Sequence, residues 1–134
     1  MQTTPCLLLL ALVALDASAI ETFASRVERA KGVEHSRAGK AYQEKLMRSA
    51  GQGMAHVMKE CFPKTASPDI LRFTLVADVQ ADRTLSNAAV VPSTPMTRCF
   101  MSGFSDLSFP KPSSKFKTTG MPIVIEMAIT RDAL

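Results

Sequence analysis

Between Cys61 and Leu71 the spacing of apolar residues changes period, and that change decides the fold class. Upstream the spacing is helical. Ile20, Phe23, Val27 and Ala30 form a short stripe that Gly32 is expected to end. A second stripe, Ala38, Tyr42, Leu46, Ala50, Met54, Val57, Met58 and Cys61, recurs mostly at steps of three and four. Arg37, Lys40, Lys45, Arg48 and Lys59 fall on its other faces. Gly51 and Gly53 lie inside this stripe, where a glycine costs about 1 kcal/mol relative to alanine, so a kink or a close backbone approach is expected there. Pro63 and the stretch from Thr65 to Asp69 end the helix and turn the chain.

Downstream the period is two. Leu71, Phe73, Leu75, Ala77 and Val79 alternate with Arg72, Thr74, Val76, Asp78 and Gln80, the pattern of a half-buried strand. Ala81-Asp82-Arg83 reads as a turn, and a weaker alternation over Leu85, Asn87, Ala89 and Val91 completes a hairpin that Pro92 and Pro95 end. Met96, Cys99, Phe100, Gly103 and Leu107 return to helical spacing, with Ser93 or Thr94 as the cap. Phe109-Pro110-Lys111-Pro112 is extended, and Ile123, Ile125, Met127 and Ile129 mark one face of a last strand, opposite Val124, Glu126, Ala128 and Thr130. The expected fold is α+β: N-terminal helices plus a β-β-α-β core whose small antiparallel sheet is covered on one face by helices. A chain of 134 residues holds one such domain, here 20–134, helical over 20–62 and β-β-α-β over 69–130.

The segment before this domain reads as an address. Cys6 to Leu15 is an unbroken apolar run of ten residues ended by Asp16, whereas a bilayer-spanning helix takes about 20. Ala17-Ser18-Ala19 follows with the small-x-small pattern of a signal-peptidase site, so 1–19 is expected to be a signal peptide cleaved after Ala19. A buried N-terminal helix is the alternative. Cleavage removes Cys6 and leaves Cys61 and Cys99, which an oxidising compartment would join as the single possible intramolecular bridge; buried free thiols are the alternative. It also removes Asp16 and no Lys or Arg, so the formal net charge of +4 rises by one. The expected location is the periplasm of a Gram-negative bacterium, with no membrane anchor after cleavage.

From Ile70 to Thr130 the order and spacing of three segments carry a resemblance. They are the strand Ile70–Val79 with its turn near Asp82 and return to Val90-Val91, the helix leading into Leu107-Ser108-Phe109-Pro110-Lys111-Pro112, and the closing strand Pro122–Met127. This half of the chain resembles the C-terminal domain of TonB and its envelope relatives. Cys99 ahead of Phe-Pro-x-Pro is similar to a Cys-containing branch of such domains. The resemblance implies a β-β-α-β core that binds proteins, often by strand pairing. An energy-transducing role is not expected, because the chain carries neither a retained anchor nor a long Pro-rich spacer, and Ala81-Asp82-Arg83 stands where the family's first turn has glycine.

No catalytic set stands out. His56 and Glu60 are four apart on the main helix, but H-E-x-x-H is absent and a catalytic zinc needs three protein ligands. His35 lies in a polar stretch and is expected to be solvated. G-x-S-x-G is absent, Gly51-Gln52-Gly53 is too short for a phosphate loop, and the acids are scattered. Neither catalysis nor a cofactor is expected. Seven methionines follow the start residue, Met47, Met54, Met58, Met96, Met101, Met121 and Met127. They read as gap-filling core or as the lining of a binding groove. A copper site would want Met-x-x-Met or paired His, which are missing.

The basic residues form two clusters, Arg26, Arg29, Lys31, Arg37, Lys40, Lys45 and Arg48 on the N-terminal helices, and Lys111, Lys115 and Lys117 before the last strand. Each is either a solvated face or a surface that attracts an acidic partner. Nucleic acid is not expected, since no aromatic-basic recognition motif is present, and the helices lack the Trp or Phe anchors of a membrane-surface helix. By elimination, the expected role is a non-catalytic protein-binding protein of the periplasm. It would be an immunity or inhibitor protein that neutralises a toxic enzyme such as a secreted lipase or wall hydrolase. An adaptor of an envelope complex is the alternative, and an enzyme of unrecognised type the third reading. Arg26, Arg29, Lys111, Lys115 and Lys117 are the candidate contacts. Intact-mass measurement of the protein recovered from the periplasm is expected to give the chain beginning at Ile20; a mass retaining residues 1–19 would remove the export argument.

Overall fold

The computed structural model describes residues 21–62 and 72–129; the expected signal peptide, residues 63–71 where a turn is expected, and residues 130–134 lie outside the described residues. α1 (Phe23–His35) starts where the Thr22 hydroxyl accepts from the Ser25 amide. It does not stop at Gly32, which lies open to solvent with nothing close enough to need the missing side chain. The break comes instead at Ser36, in extended backbone (φ −70°, ψ 160°), whose amide bonds the Val33 carbonyl while its hydroxyl accepts from the Gly39 amide. That one residue ends α1 and caps α2 (Arg37–Cys61).

α2 runs unbroken through both internal glycines, and what approaches Gly53 is a side chain rather than another backbone. A Cβ there would lie 2.6 Å from Leu107 Cδ2. Gly103 on α3 (Pro95–Ser105) does the same for Val57, at 2.7 Å from Cγ1. The two helices pack through complementary dents. Thr94 is the cap of α3, in a capping box with Thr97, and Pro95 opens the helix.

β1 (Arg72–Val79), β2 (Leu85–Val91) and β3 (Met121–Ala128) form an antiparallel sheet in the order β2-β1-β3. The class, the element order and the antiparallel sheet are as expected. The β1–β2 hairpin closes without glycine. Arg83 takes the left-handed conformation (φ 69°), and the Asp82 carboxylate accepts from the Thr84 amide and hydroxyl at 3.1 and 2.6 Å. Those bonds hold the Asp82 carboxyl below the usual range.

One point differs from the expectation of a sheet covered on one face. α2 and α3 cover the face that carries Phe73, Leu75, Ala77, Val79, Ile123 and Ile125. α1 covers the other, with Ala30, Phe23 and Val27 against Val76, Val124 and Ala89. Val76 and Val124 are direct partners in the register, although alternation sets both on the polar side of their strands. Leu75 to Val79 are therefore all buried, because β1 is the middle strand of a sheet with helices on both sides.

The thicker layer holds the core. Phe62 stacks on Phe73 (5.4 Å between centroids), Phe73 meets Phe100 edge-on, and the series continues through Phe104 to Phe109. A Cys61–Cys99 disulfide clamps the end of α2 to α3 beside this stack, Cα atoms 5.6 Å apart. No described helix is long and apolar enough to cross a membrane. The bridge closes a separation of 38 residues, which on loop-closure entropy stabilises by about 4 kcal/mol. Reduction is therefore expected to lower the melting temperature of the purified protein by several degrees. Phe100, fully buried, is expected to cost about 3–5 kcal/mol in a denaturant titration when replaced by alanine.

Candidate functional site

The α1 part of the first basic cluster, Arg26, Arg29 and Lys31, is spent on contacts within the molecule. Arg26 donates to the Asn87 carbonyl on β2. Arg29 holds Glu21 through two bonds (2.8 and 3.0 Å) and lies 4.0 Å from the Asp78 carboxylate. Lys31 pairs with Glu126 at 2.9 Å, and that hydrogen bond and charge raise its pKa. Together these cations tie α1 to the sheet beneath it. Asp78 is the buried charge they serve: Oδ2 accepts from Asn87 Nδ2 at 3.1 Å, while Oδ1 has no hydrogen-bond partner. Asn87 reaches it from a bulge in β2, where its backbone is left-handed (φ 53°) and the register slips between Val76 and Asp78.

The second cluster is placed differently. The segment after α3 runs back along α2, held by the Tyr42 hydroxyl on the Pro110 carbonyl (3.0 Å) and by a long Ser49–Ser108 contact of 3.5 Å. Pro112 and Phe116 turn inward, the latter on a short 3-10 turn, Ser114–Phe116. Lys111, Lys115 and Lys117 point outward. Lys45 is one turn from both Tyr42 and Ser49 on α2, and Arg37, Lys45 and Arg48 are exposed. Among the described residues none of these six cations enters an ion pair; Lys115 lies over the Phe116 ring at 5.4 Å. The Tyr42–Pro110 bond thus brings Lys45 of the N-terminal cluster close to Lys111 of the loop as the centre of a basic surface, while Arg48 faces the α1–α2 elbow.

A second feature lies along β3, which pairs on one side only among the described residues. Beside its outer edge a groove of about 300 Å³ is lined by Met47, Met54 and Met127 with Gln43 and Ile125. It adjoins a shallow hollow of about 610 Å³ at the α1–α2 elbow, lined by His35, Lys40, Glu44 and Arg48, with Met47 common to both. Met47 is 52% exposed, so it fills no core gap. Of the seven methionines after the start residue only Met47 is exposed: Met54 and Met121 are buried in the core, and Met58, Met96, Met101 and Met127 pack against it, so the groove draws on Met47 and on the outer sides of core methionines.

His56 pairs with Glu60 at 3.1 Å on the open surface of α2, and no group of three metal-ligating His, Cys, Asp or Glu side chains exists among the described residues. The His35 ring donates from Nδ1 to the Lys31 carbonyl at 2.7 Å, finishing the last turn of α1. The chain matches no family model, no curated protein and no solved structure.

Sequence reading passed over the residue that joins the basic surface together. Tyr42 counts as one more apolar position of a helical stripe, and nothing in its spacing reveals the Pro110 carbonyl 68 residues away. Burial pushes its phenol up to about 12. A folded pKa above the unfolded value of 10.0 means stability that is complete below pH 10 and is lost as pH rises towards 12. Tyr42 is the only tyrosine, so the phenolate absorbance reports it alone. Its titration midpoint is expected near 12 in the folded protein and near the ordinary value in denaturant.

Proposed function

We propose that this chain is an exported, non-catalytic protein-binding protein of the immunity or inhibitor type, which neutralises a hydrolytic enzyme acting in the periplasm. The observation that carries the reading is the basic surface of α2 and the Lys111–Lys117 loop, whose cations have no acidic partner among the described residues. Cations left free on a rigid helix and a pinned loop steer an acidic partner and raise its association rate. The apolar leader and the disulfide support export. In this reading Lys111, Lys115 and Lys117 remain contacts. Arg26 and Arg29 act indirectly by holding α1 in place.

A second reading, an envelope adaptor that takes up a partner strand, is favoured by the open edge of β3 and the methionine groove beside it. It also accords with the resemblance of residues 70–130 to TonB C-terminal domains.

The test is to add the purified protein to hydrolases recovered with it from native periplasm. Stoichiometric loss of one hydrolase's activity is expected. In a Lys45→Glu, Lys111→Glu, Lys115→Glu, Lys117→Glu variant, association should slow by at least about tenfold at low salt, as removal of electrostatic steering predicts. Recovery of membrane-anchored components alone, bound equally by the charge-reversed variant, would replace the inhibitor reading with the adaptor.

A further inference from the structure

The turn between α1 and α2 is a single residue, and it is possible only because residue 39 is glycine. A Cβ on Gly39 would lie 1.8 Å from the Val33 carbonyl oxygen, 2.6 Å from its carbon and 2.8 Å from Glu34 Cα. All three are backbone atoms of α1, so no side-chain movement relieves the clash. In a continuous helix the same two residues are six apart, displaced by about 9 Å along the axis, and the clash does not exist. The elbow and the straight helix are thus alternative states of one segment, and Gly39 weighs towards the elbow. Alanine there would favour the straight form twice, by the clash and by helix propensity.

α1 is also the helix least anchored by burial. Of its thirteen residues only Ala30 is fully buried, against seven in α2. Its remaining hold is the half-buried Phe23, Val27 and Val33 and the contacts of Arg26, Arg29 and Lys31 described above. Elements with few buried side chains and exposed polar ties open at the lowest free energy. Beneath α1 lie Val76, Val124, Ala89 and the Asp78 carboxylate. An opened molecule exposes that apolar strip and a buried charge together, and both need cover.

We infer that α1 is an exchangeable arm, and that the sheet face beneath it is an interface for the α1 of a second copy of this chain, with Gly39 holding the arm on its own sheet. The second copy is the occupant because its α1 supplies every complement at once. Alanine meets Val76 and Val124, Arg26 meets the Asn87 carbonyl, Arg29 meets Asp78 and Lys31 meets Glu126. Straightening at Ser36 converts α1 and α2 into one helix from Phe23 to Cys61 and projects the arm away from its own sheet, which is the geometry of a domain-swapped dimer. This inference does not rest on the inhibitor reading.

Lys31 Nζ and Glu126 Oε1, 2.9 Å apart, provide the test, since a carbodiimide joins such a pair without a spacer. Gly39→Ala protein, mixed from isotopically light and heavy chains, is expected to run as a dimer by light scattering. Its cross-linked peptides should join Lys31 of one isotope to Glu126 of the other, and Lys31→Gln should abolish them. The wild type at low concentration should give the same peptide pair within one chain only. A monomeric Gly39→Ala protein, or a dimer whose Lys31–Glu126 links stay within one chain, overturns the inference. Should Gly39→Ala fail to fold, wild-type protein unfolded with its disulfide intact and refolded at high concentration decides the matter. Mixed-isotope links there uphold the exchange, and links within one chain alone overturn it.

Discussion

Five consecutive residues of β1, Leu75 to Val79, are buried, and the rest of the architecture answers that run. A strand covered on both faces needs a layer of helix on each side, and the chain supplies two unequal ones. On one side α2 and α3 bring Leu46, Phe100 and Phe104, with the Phe62–Phe73 stack and the disulfide at their junction. On the other, α1 brings Ala30 and the edges of Phe23 and Val27. The run also contains a carboxylate. Asp78 on the thin side makes that layer electrostatic as well as apolar, with Asn87 and Arg29 converging on it. A buried charge with one oxygen left unbonded is a poor source of stability.

The same asymmetry sorts the charges. On α1, Arg29 is paired with Glu21 and Asp78 and Lys31 with Glu126, while Arg26 donates to the Asn87 carbonyl. Cations on the outer side of α2 and on the loop after α3 have no such partners among the described residues. The cations without an ion-pair partner therefore include those on α2 and on the loop after α3, the elements packed on the thicker core. Tyr42 and Ser49 keep the loop against α2, and Pro112 and Phe116 anchor it from below. Exposed lysines on a pinned backbone lose less freedom on binding than lysines on a mobile one.

Much of this was legible in the residue pattern. The alternation in β1 and β3 placed Phe73, Leu75, Ile123 and Ile125 correctly, and the count of cysteines gave the bridge. The second helical layer was missed because period-two reading assigns one face to water, and Val76 and Val124 sat among Arg72, Thr74 and Glu126. Gly32 drew attention as a helix terminator, yet an isolated glycine on an exposed face is tolerated. Ser36 ends α1 by bonding its neighbours' backbone, and its sequence signal is short. The candidate surfaces were least legible, because each joins distant segments. Met127 meets Met47 and Met54 in a groove that no local spacing encodes, and the two lysine-bearing stretches come together through a tyrosine counted as core.

The two docking features are not equally suited to a partner. β2 is shielded by α3 alongside it and interrupted by the Asn87 bulge, so β3 is the more regular edge, with eight successive pairs to β1. Open edges invite unselective pairing, and natural sheets blunt them with proline and charge. β3 carries both: Pro122 has no amide hydrogen to give an added strand, and Glu126 is held by Lys31 beside the edge. That leaves Val124, Ile125 and Met127 as the unblunted stretch, too short for a long added strand but bordered by the methionine groove. The basic surface carries no corresponding protection among the described residues, neither acidic partners nor covering chain. Its cations stand out on secondary structure anchored to the best-packed part of the core. Of the two, it is the feature the fold leaves unopposed.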